Sequence, residues 1–490
     1  MRILLLNPPF LKKFSRPQRS PAVTKSGTLY FPIWLAYAAG VLEDAGFEVD
    51  LIDAPADGLD LDYCLQRAKQ FAPNLIVLDT STPSIYNDVE IAGKLKDNLP
   101  ESFIVLVGTH VSALPQETLD IDDRVDAIAQ HEYEYTLRGL AAALSNNDDL
   151  HTVQGLVFRD NGRFVHTPKR PYIENLDELP FVSRVYKKFL KIENYFNPNA
   201  LYPMVTIITS RGCPFLCTFC VYPQTLMGRA FRARGIENVV AEMQYIVDNF
   251  PQAKAIFFED DTLTVNKKRC KELAELIIQK RIKISWTANA RVGLDYDTMR
   301  EMKQAGCRSL CVGFESGSQR LLDNIKKKIT IEQMRQFMAD AKRAKMLIHA
   351  CFIAGLPGET PQTLAETLDV AKNLAPDTVQ FYPVMVYPGT EAYAWYKERG
   401  LIQTTDFSKW LTPEGLHDTV TSTEDLSSQD LVAFCDSARR KFYLRTRYIL
   451  YKLGQMIRHP REIRRTFKAA RTFAKYLIRG SDIDSAASEA

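Results

Sequence analysis

No apolar run in the 490 residues is long enough to cross a bilayer; the longest, Leu29 to Leu42, falls short of the roughly 20 residues a spanning helix needs. A secretory leader is not expected either, because Met1–Leu6 runs directly into Asn7-Pro8-Pro9. The nine cysteines follow no regular framework, so a disulfide-stapled secreted scaffold is excluded and a reducing, cytoplasmic compartment is expected. No GxGxxG follows the first strand-like run, which excludes a nicotinamide or flavin dinucleotide at its usual place. No β-rich RNA-binding module accompanies the basic residues, so nucleic acid is not an expected partner. Acids are scarce in one stretch only. Between Arg439 and Arg479, 14 Lys and Arg face the single acid Glu462, a local charge of +13; with +3 overall, the rest of the chain carries −10.

What is present begins with three cysteines in eight residues, Cys213-Pro-Phe-Leu-Cys217-Thr-Phe-Cys220. They follow Met204–Ile208, an apolar β-branched run that reads as a buried strand, broken by Ser210-Arg-Gly212. Thiolates on a compact loop are ligands for several corners of an iron–sulfur cube. Three ligands rather than four leave one iron free for a small molecule. The alternative is a zinc site completed by a distant Cys or His, since zinc prefers four ligands.

This CxxxCxxC stretch, set after the first strand of a βα series, resembles the signature of the radical S-adenosylmethionine (SAM) enzymes. The resemblance implies a 4Fe-4S cluster on Cys213, Cys217 and Cys220, whose open iron chelates SAM. One-electron reduction then cleaves SAM to a 5′-deoxyadenosyl radical. From Met204 to about Tyr396, six strand-like runs alternate with helical stretches: Met204–Ile208, Ala255–Phe258, Ile284–Ala288, Leu310–Phe314, Ile348–Ile353 and Val379–Val384. That count fits a partial (β/α)6 barrel, with chemistry at the carboxyl ends of its strands. Those ends carry Glu259-Asp260-Asp261, then Asn289 and Arg291, then Glu315 and Ser316, then Gly355, and finally Tyr387. By resemblance they are expected to contact SAM, with Phe219 packing near the cluster. A solvated acidic helix start remains the alternative for the three acids. By strand alternation Cys311 faces the barrel interior. It reads as a small buried hydrophobe or, alternatively, as a catalytic thiol or second-cluster ligand.

Residues 1–150 read as a doubly wound parallel sheet, with strands near Arg2–Leu6, Glu48–Ile52, Leu75–Leu78, Phe103–Val107 and Ala127–Ile128. Ligands of such sheets sit at the carboxyl ends of the strands. Together with the downstream cysteines, this layout resembles the cobalamin-binding domain of cobalamin-dependent radical SAM enzymes. The resemblance places Asn7, Pro8, Thr80, Ser81, Thr82, Gly108, Thr109, His110, His131 and Glu132 beside cobalamin. Thr109 stands where a second glycine is common, and Gln130-His131 departs from an RGEGE-like segment. The D-x-H-x-x-G motif is absent, so no histidine from it reaches cobalt. His110 and His131 are alternatively exposed loop residues with no ligand role. Residues 151–200 read as a linker with a hairpin at Asp160-Asn161-Gly162, and Leu179-Pro-Phe181 resembles the junction of the cobalamin subfamily.

The expected fold is therefore α/β, with a helical basic region at 401–490. Its stripe Ile463, Phe467, Ala470, Ala474 and Leu477 suits either an anionic membrane surface or a lid on the acidic body. The resemblance, which extends to the branch of the magnesium-protoporphyrin ester oxidative cyclase and hopanoid-modifying enzymes, implies methylation of an unactivated carbon on a small-molecule or lipid substrate. Two SAM molecules would be used per turnover, with an external reductant such as flavodoxin or ferredoxin. The alternatives are an oxidative cyclisation or ring contraction without methyl transfer, and a non-catalytic cobalamin- or metal-binding regulator.

Overall fold

The computed structural model describes residues 1–458. Seven strands form the first sheet: β1 (Arg2–Asn7), β2 (Glu48–Asp53), β3 (Leu75–Thr80), β4 (Phe103–Gly108), β5 (Ala127–Ala129), β6 (Leu156–Asp160) and β7 (Arg163–His166). Their order is β2-β1-β3-β4-β5-β6-β7, parallel through β5 and antiparallel beyond it. Ile3, Leu4, Leu5 and Leu6 are all fully buried, as are Leu75 to Leu78, because helices cover both faces. Such two-sided burial is why these strands read as unbroken apolar runs. The hairpin expected to be a connector is instead the antiparallel edge of this sheet, joined through Ala127–Ala129 pairing with Phe158–Leu156.

A second, all-parallel sheet forms the partial barrel. It comprises β8 (Met204–Ile207), β11 (Ala255–Phe258), β12 (Ser285–Ala290), β13 (Cys307–Glu315), β14 (Leu347–Ala354) and β15 (Thr378–Pro383), in sequence order across the sheet. Between its first two strands lies a small antiparallel ribbon, β9 (Ser210–Arg211) and β10 (Arg232–Ala233). Helix Ser428–Tyr443 packs along β15 with Leu431, Cys435, Ala438 and Phe442 buried, so this part of the basic region is barrel wall. Helix Thr446–Arg458 follows it. The stripe from Ile463 to Leu477 lies outside the described residues. Among the described residues no helix is long and apolar enough to cross a membrane.

The two sheets are stitched together by buried charge. Arg211, fully buried on the ribbon after β8, lies 2.7 Å from Glu134 and 3.5 Å from Glu132 of the first domain. Arg232 holds Glu132 from the other side at 2.7 Å. The Arg211 guanidinium is flanked by Trp34 and Tyr37, with ring centroids 5.2 and 4.9 Å away.

Candidate active site at the barrel mouth

The chain leaves β8, forms the ribbon strand β9, and turns at Gly212 into the cysteine loop. Gly212 has φ +79°, and a Cβ there would lie 2.1 Å from the Ala230 carbonyl oxygen, so only glycine fits. Cys217 is buried, while Cys213 and Cys220 are half-buried. Burial pushes the Cys213 and Cys220 thiols above their ordinary range, and the neighbouring cysteines and Asp261 add to it. Thiolates here therefore need a cationic partner. Arg291 supplies one charge: its Nη1 is 3.8 Å from Cys217 Sγ and its guanidinium lies 3.9 Å over the Phe215 ring. Thiols that ligate different corners of a cube do not converge on one point. Among the described residues no three His, Cys, Asp or Glu side chains do.

Beside this loop β11 ends in the acidic triplet, whose members have different surroundings. Asp260 accepts from Thr209 N at 2.7 Å, Thr209 Oγ1 at 2.6 Å and Ser210 Oγ at 2.5 Å, so it ties β11 to the end of β8 rather than facing a ligand. Glu259 lines the barrel cavity; one oxygen accepts from Arg19 at 2.7 Å, and Oε2 is buried with no partner. Burial raises the Glu259 carboxyl above its ordinary range against the pull of Arg19 and of the neighbouring Asn289 amide. Asp261 meets Arg19 at 3.2 Å. Asn289, on the same cavity wall, donates to the Asp260 carbonyl at 3.1 Å. Arg291 Nη2 is also buried without a partner. Two oppositely charged orphan atoms thus follow successive barrel strands, one on the guanidinium at the thiol loop and one on the cavity wall, and each orphan costs about 1–3 kcal/mol while unmet.

The remaining expected SAM contacts divide. Glu315, with φ +67°, ion-pairs with the buried Lys327 at 2.6 Å, and Lys327 lies in the field of Cys217 and Arg291. Ser316 is fully buried and paired with Thr367 and Ser318, away from the cavity. Gly355 is closed over by Leu431, which a Cβ would meet at 2.6 Å. Tyr387 is buried with its hydroxyl 2.9 Å from Ser20 Oγ. Phe219 packs against the apolar cluster that includes Leu321, Ile325, Ile353 and Tyr396. Cys311 and Cys351 both line the cavity, with thiols pushed up by burial, Cys351 to about 12.

Sequence reasoning missed the strap between β1 and helix Ile33–Asp44. Arg16, fully buried, pairs with Asp88 at 2.5 Å and donates to Asn7 and the Pro8 carbonyl. Three residues later Arg19 enters the barrel mouth, 5.0 Å over the Tyr222 ring, and Ser20 bridges Tyr387 and His417. The only local signal was two arginines in a proline-flanked stretch without periodicity.

The first domain turns the carboxyl ends of β4 and β5 toward the cysteine loop. His131 Nδ1 is 2.9 Å from the Thr225 carbonyl oxygen, and Ala113 packs against Gly389. Gly108, at φ +121°, sits where a Cβ would lie 2.5 Å from the Thr80 carbonyl oxygen. Many of the residues expected beside cobalamin have partners within the chain. Asn7 bonds Asp53 and Arg16, Thr80 the Val107 carbonyl, Ser81 bonds Ser84, and Glu132 meets Arg232 and Arg211. His110 is not an exposed loop residue: it is buried against Phe407, 3.1 Å from Thr82 Oγ1, and burial lowers it to about 3. Thr109 is half-buried beside it.

A six-stranded parallel barrel with three thiols after its first strand, faced by the ligand edge of a doubly wound domain, defines the radical SAM enzymes that carry a B12 domain. Residues 207–371 match the radical SAM superfamily model, and residues 19–141 match that of the B12 binding domain. Over 452 residues the chain is 31% identical to an uncharacterized methyltransferase of Pyrococcus horikoshii, covering 92% of this chain and 94% of that protein. It is 26% identical to the anaerobic magnesium-protoporphyrin IX monomethyl ester cyclase of Rubrivivax gelatinosus, covering 86% and 75%. Its fold is like that of the radical SAM methyltransferase TsrM of Kitasatospora setae, solved with cobalamin and a 4Fe-4S cluster bound, at TM-score 0.66 and 19% identity over 83% of this chain and 76% of that one. The chain belongs to the radical SAM superfamily, in its B12-binding branch.

Side chains at the barrel mouth fit the family's cluster and SAM: three thiols that need cationic partners, an orphan carboxylate oxygen and an orphan guanidinium nitrogen. The first domain fits cobalamin by placement, since its ligand edge faces the cluster loop. Asn7, Thr80, Ser81 and Glu132 would exchange internal bonds for any corrinoid contact.

Proposed function

We propose that this chain is a cobalamin-dependent radical SAM enzyme that methylates an unactivated carbon of a small-molecule or lipid substrate. The observation that carries this reading is the pair of buried orphans after successive barrel strands, Glu259 Oε2 on the cavity wall and Arg291 Nη2 on the guanidinium that meets Cys217. When bound, the cluster and cobalamin supply reductive SAM cleavage and a methyl group. Everything else falls to the chain.

Cys213, Cys217 and Cys220 hold the cluster. Glu259 accepts the ammonium of SAM, and Arg291 offers its free nitrogen to the SAM carboxylate while its other nitrogen offsets the Cys217 thiolate. Asn289 lies beside Glu259 and directs the nucleoside. Lys327 and Glu315 neutralise one another beneath the loop. The strap, through Arg19 and Ser20, closes the mouth and excludes water from a radical site, where positioning matters more than proton transfer. No general base is assigned.

Turnover draws electrons from an external one-electron donor of the flavodoxin or ferredoxin kind, in a reducing cytoplasm that spares the cluster. Any membrane contact would run through the basic region after Arg439. The test is anaerobic reconstitution with iron, sulfide and hydroxocobalamin, followed by turnover with SAM deuterated in its methyl group. Label in the product supports methyl transfer. Deoxyadenosine formation with unlabelled product refutes it in favour of an oxidative cyclisation or ring contraction without methyl transfer; the Rubrivivax relative is named a cyclase.

A further inference from the structure

The barrel encloses a cavity of about 2770 Å³ that runs from Glu259 and Asn289 at the mouth to the amino-terminal ends of the strands. Its lining is strongly asymmetric in charge. Eleven lysines and arginines line it with three carboxylates, Glu193, Glu259 and Asp377; Arg19, Lys25 and Arg439 are already paired with Glu259, Asp261 or Asp436, and the excess of positive charge rests on the others. The floor is built by repetition. Lys254, Lys283, Lys303 and Lys345 each precede the first residue of one of four consecutive strands, β11 to β14, by one to four positions. None of the four makes an ion pair among the described residues; Lys303 is half-buried, and Lys254, Lys283 and Lys345 stand exposed at the rim of the floor. Asp377, the one acid at the floor, is already occupied by Ile348 N, Tyr451 Oη and Gln455 Nε2. Burial lowers Lys303 from its ordinary range, with Arg308 adding to the shift and Cys307 and Asp377 opposing it.

Above this floor the lumen turns uncharged. Phe257, Phe381, Tyr30, Cys311, His349 and Cys351 line it. His349 is held neutral, lowered to about 4 by burial. From Arg308 to Glu315 along β13 the distance is about 23 Å at the usual rise of a strand. The chamber is therefore long, neutral in its middle and cationic at the end remote from the cluster.

We infer that the barrel floor binds the anionic end, a phosphate or carboxylate, of an elongated substrate whose neutral segment extends up to the cluster. This rests on the reading of the barrel as the substrate chamber of a radical SAM enzyme. The ring of lysines sets which end enters first, and so which carbon lies at the mouth.

The experiment titrates inorganic pyrophosphate into the reconstituted full-length protein by calorimetry, comparing wild type with Lys283→Gln/Lys303→Gln/Lys345→Gln. These residues make no described ion pair, so the fold does not depend on them. Wild type is expected to bind, more weakly at higher salt, and the triple variant at least tenfold more weakly. Lys283→Arg/Lys303→Arg/Lys345→Arg is expected to retain binding, and Lys345→Gln alone, at an exposed position, to weaken it two- to threefold. Wild type that binds no pyrophosphate, or a triple variant that binds as well, overturns the inference. Co-sedimentation with phosphatidylglycerol vesicles, but not phosphatidylcholine ones, by wild type and not by the triple variant assigns the anion to a lipid headgroup. Pyrophosphate binding without vesicle binding assigns it to a soluble phosphate ester. SAM cleavage to 5′-deoxyadenosine and iron content should be equal in both proteins. Loss of cleavage in wild type with pyrophosphate binding intact removes the enzymatic reading and leaves the anion site standing.

Discussion

Glu259→Gln isolates the role assigned to the orphan carboxylate oxygen. In the wild type Oε1 is engaged by Arg19 at 2.7 Å and Oε2 is unmet. Glutamine keeps the shape and one acceptor oxygen but removes the charge that an ammonium needs. A hydrogen bond to a charged group contributes about 1.5–3 kcal/mol, roughly 10- to 150-fold in affinity. SAM should therefore bind the reconstituted variant about 10- to 150-fold more weakly, measured by equilibrium dialysis. Iron content should stay at the wild-type value, because the cysteine loop is untouched. Arg19 keeps Asp261 at 3.2 Å and the Asp260 carbonyl at 3.1 Å, so the strap should remain seated. A dissociation constant within twofold of wild type, at equal iron content, would falsify the assignment of Glu259 to the ammonium.

Cys217→Ala should lower bound iron below half the wild-type content, by metal analysis, and abolish deoxyadenosine formation; full iron retention would sink the ligand assignment. Arg211→Met leaves the buried Glu134 carboxylate without its cation, a loss of about 3–5 kcal/mol for a broken buried pair, and should move the urea midpoint sharply down; an unmoved midpoint refutes the interdomain stitch. Asp79, buried at the end of β3, is raised by burial to about 7 from 3.8. Between those values the unfolded chain releases its proton and the folded chain keeps it, so stability falls as pH rises toward 7 and is level above it. Asp79→Asn should lack that decline and exceed wild type at pH 8 by up to about 4 kcal/mol; parallel urea midpoints at pH 5.5 and 8 would contradict it.

Much of the fold was legible because its strands are buried on both faces. Apolar runs such as Leu75–Leu78 and Ala255–Phe258 need no partner to be recognised, and five of the six barrel strands begin within one residue of expectation or at it. β13 is the exception, starting three residues earlier, because Cys307, Arg308 and Ser309 break its apolar run. The cysteine loop was legible because all three ligands lie within eight residues. Orientation was not. Asp260 and Ser316 stand one residue beyond Glu259 and Glu315, yet both turn away from the cavity. The register shift between Gly313 and Glu315, with φ +67° at Glu315, changes the phase of the chain just where the contacts were assigned. Alternation says nothing across such a break.

The strap was illegible for a different reason. Arg16 meets Asp88 across 72 positions and Arg19 meets Glu259 across 240, so neither pair leaves a local pattern. The pairing nevertheless explains how the two domains share one site. Arg19 follows Arg16 by three positions, a span of at most about 11 Å. One end is locked in a fully buried ion pair at the carboxyl edge of the first sheet, and the other reaches the acids beside the cluster loop. The ligand edge of the B12 domain is thereby held at a fixed short distance from the thiols by the chain itself, and not only by the packing of one domain on the other.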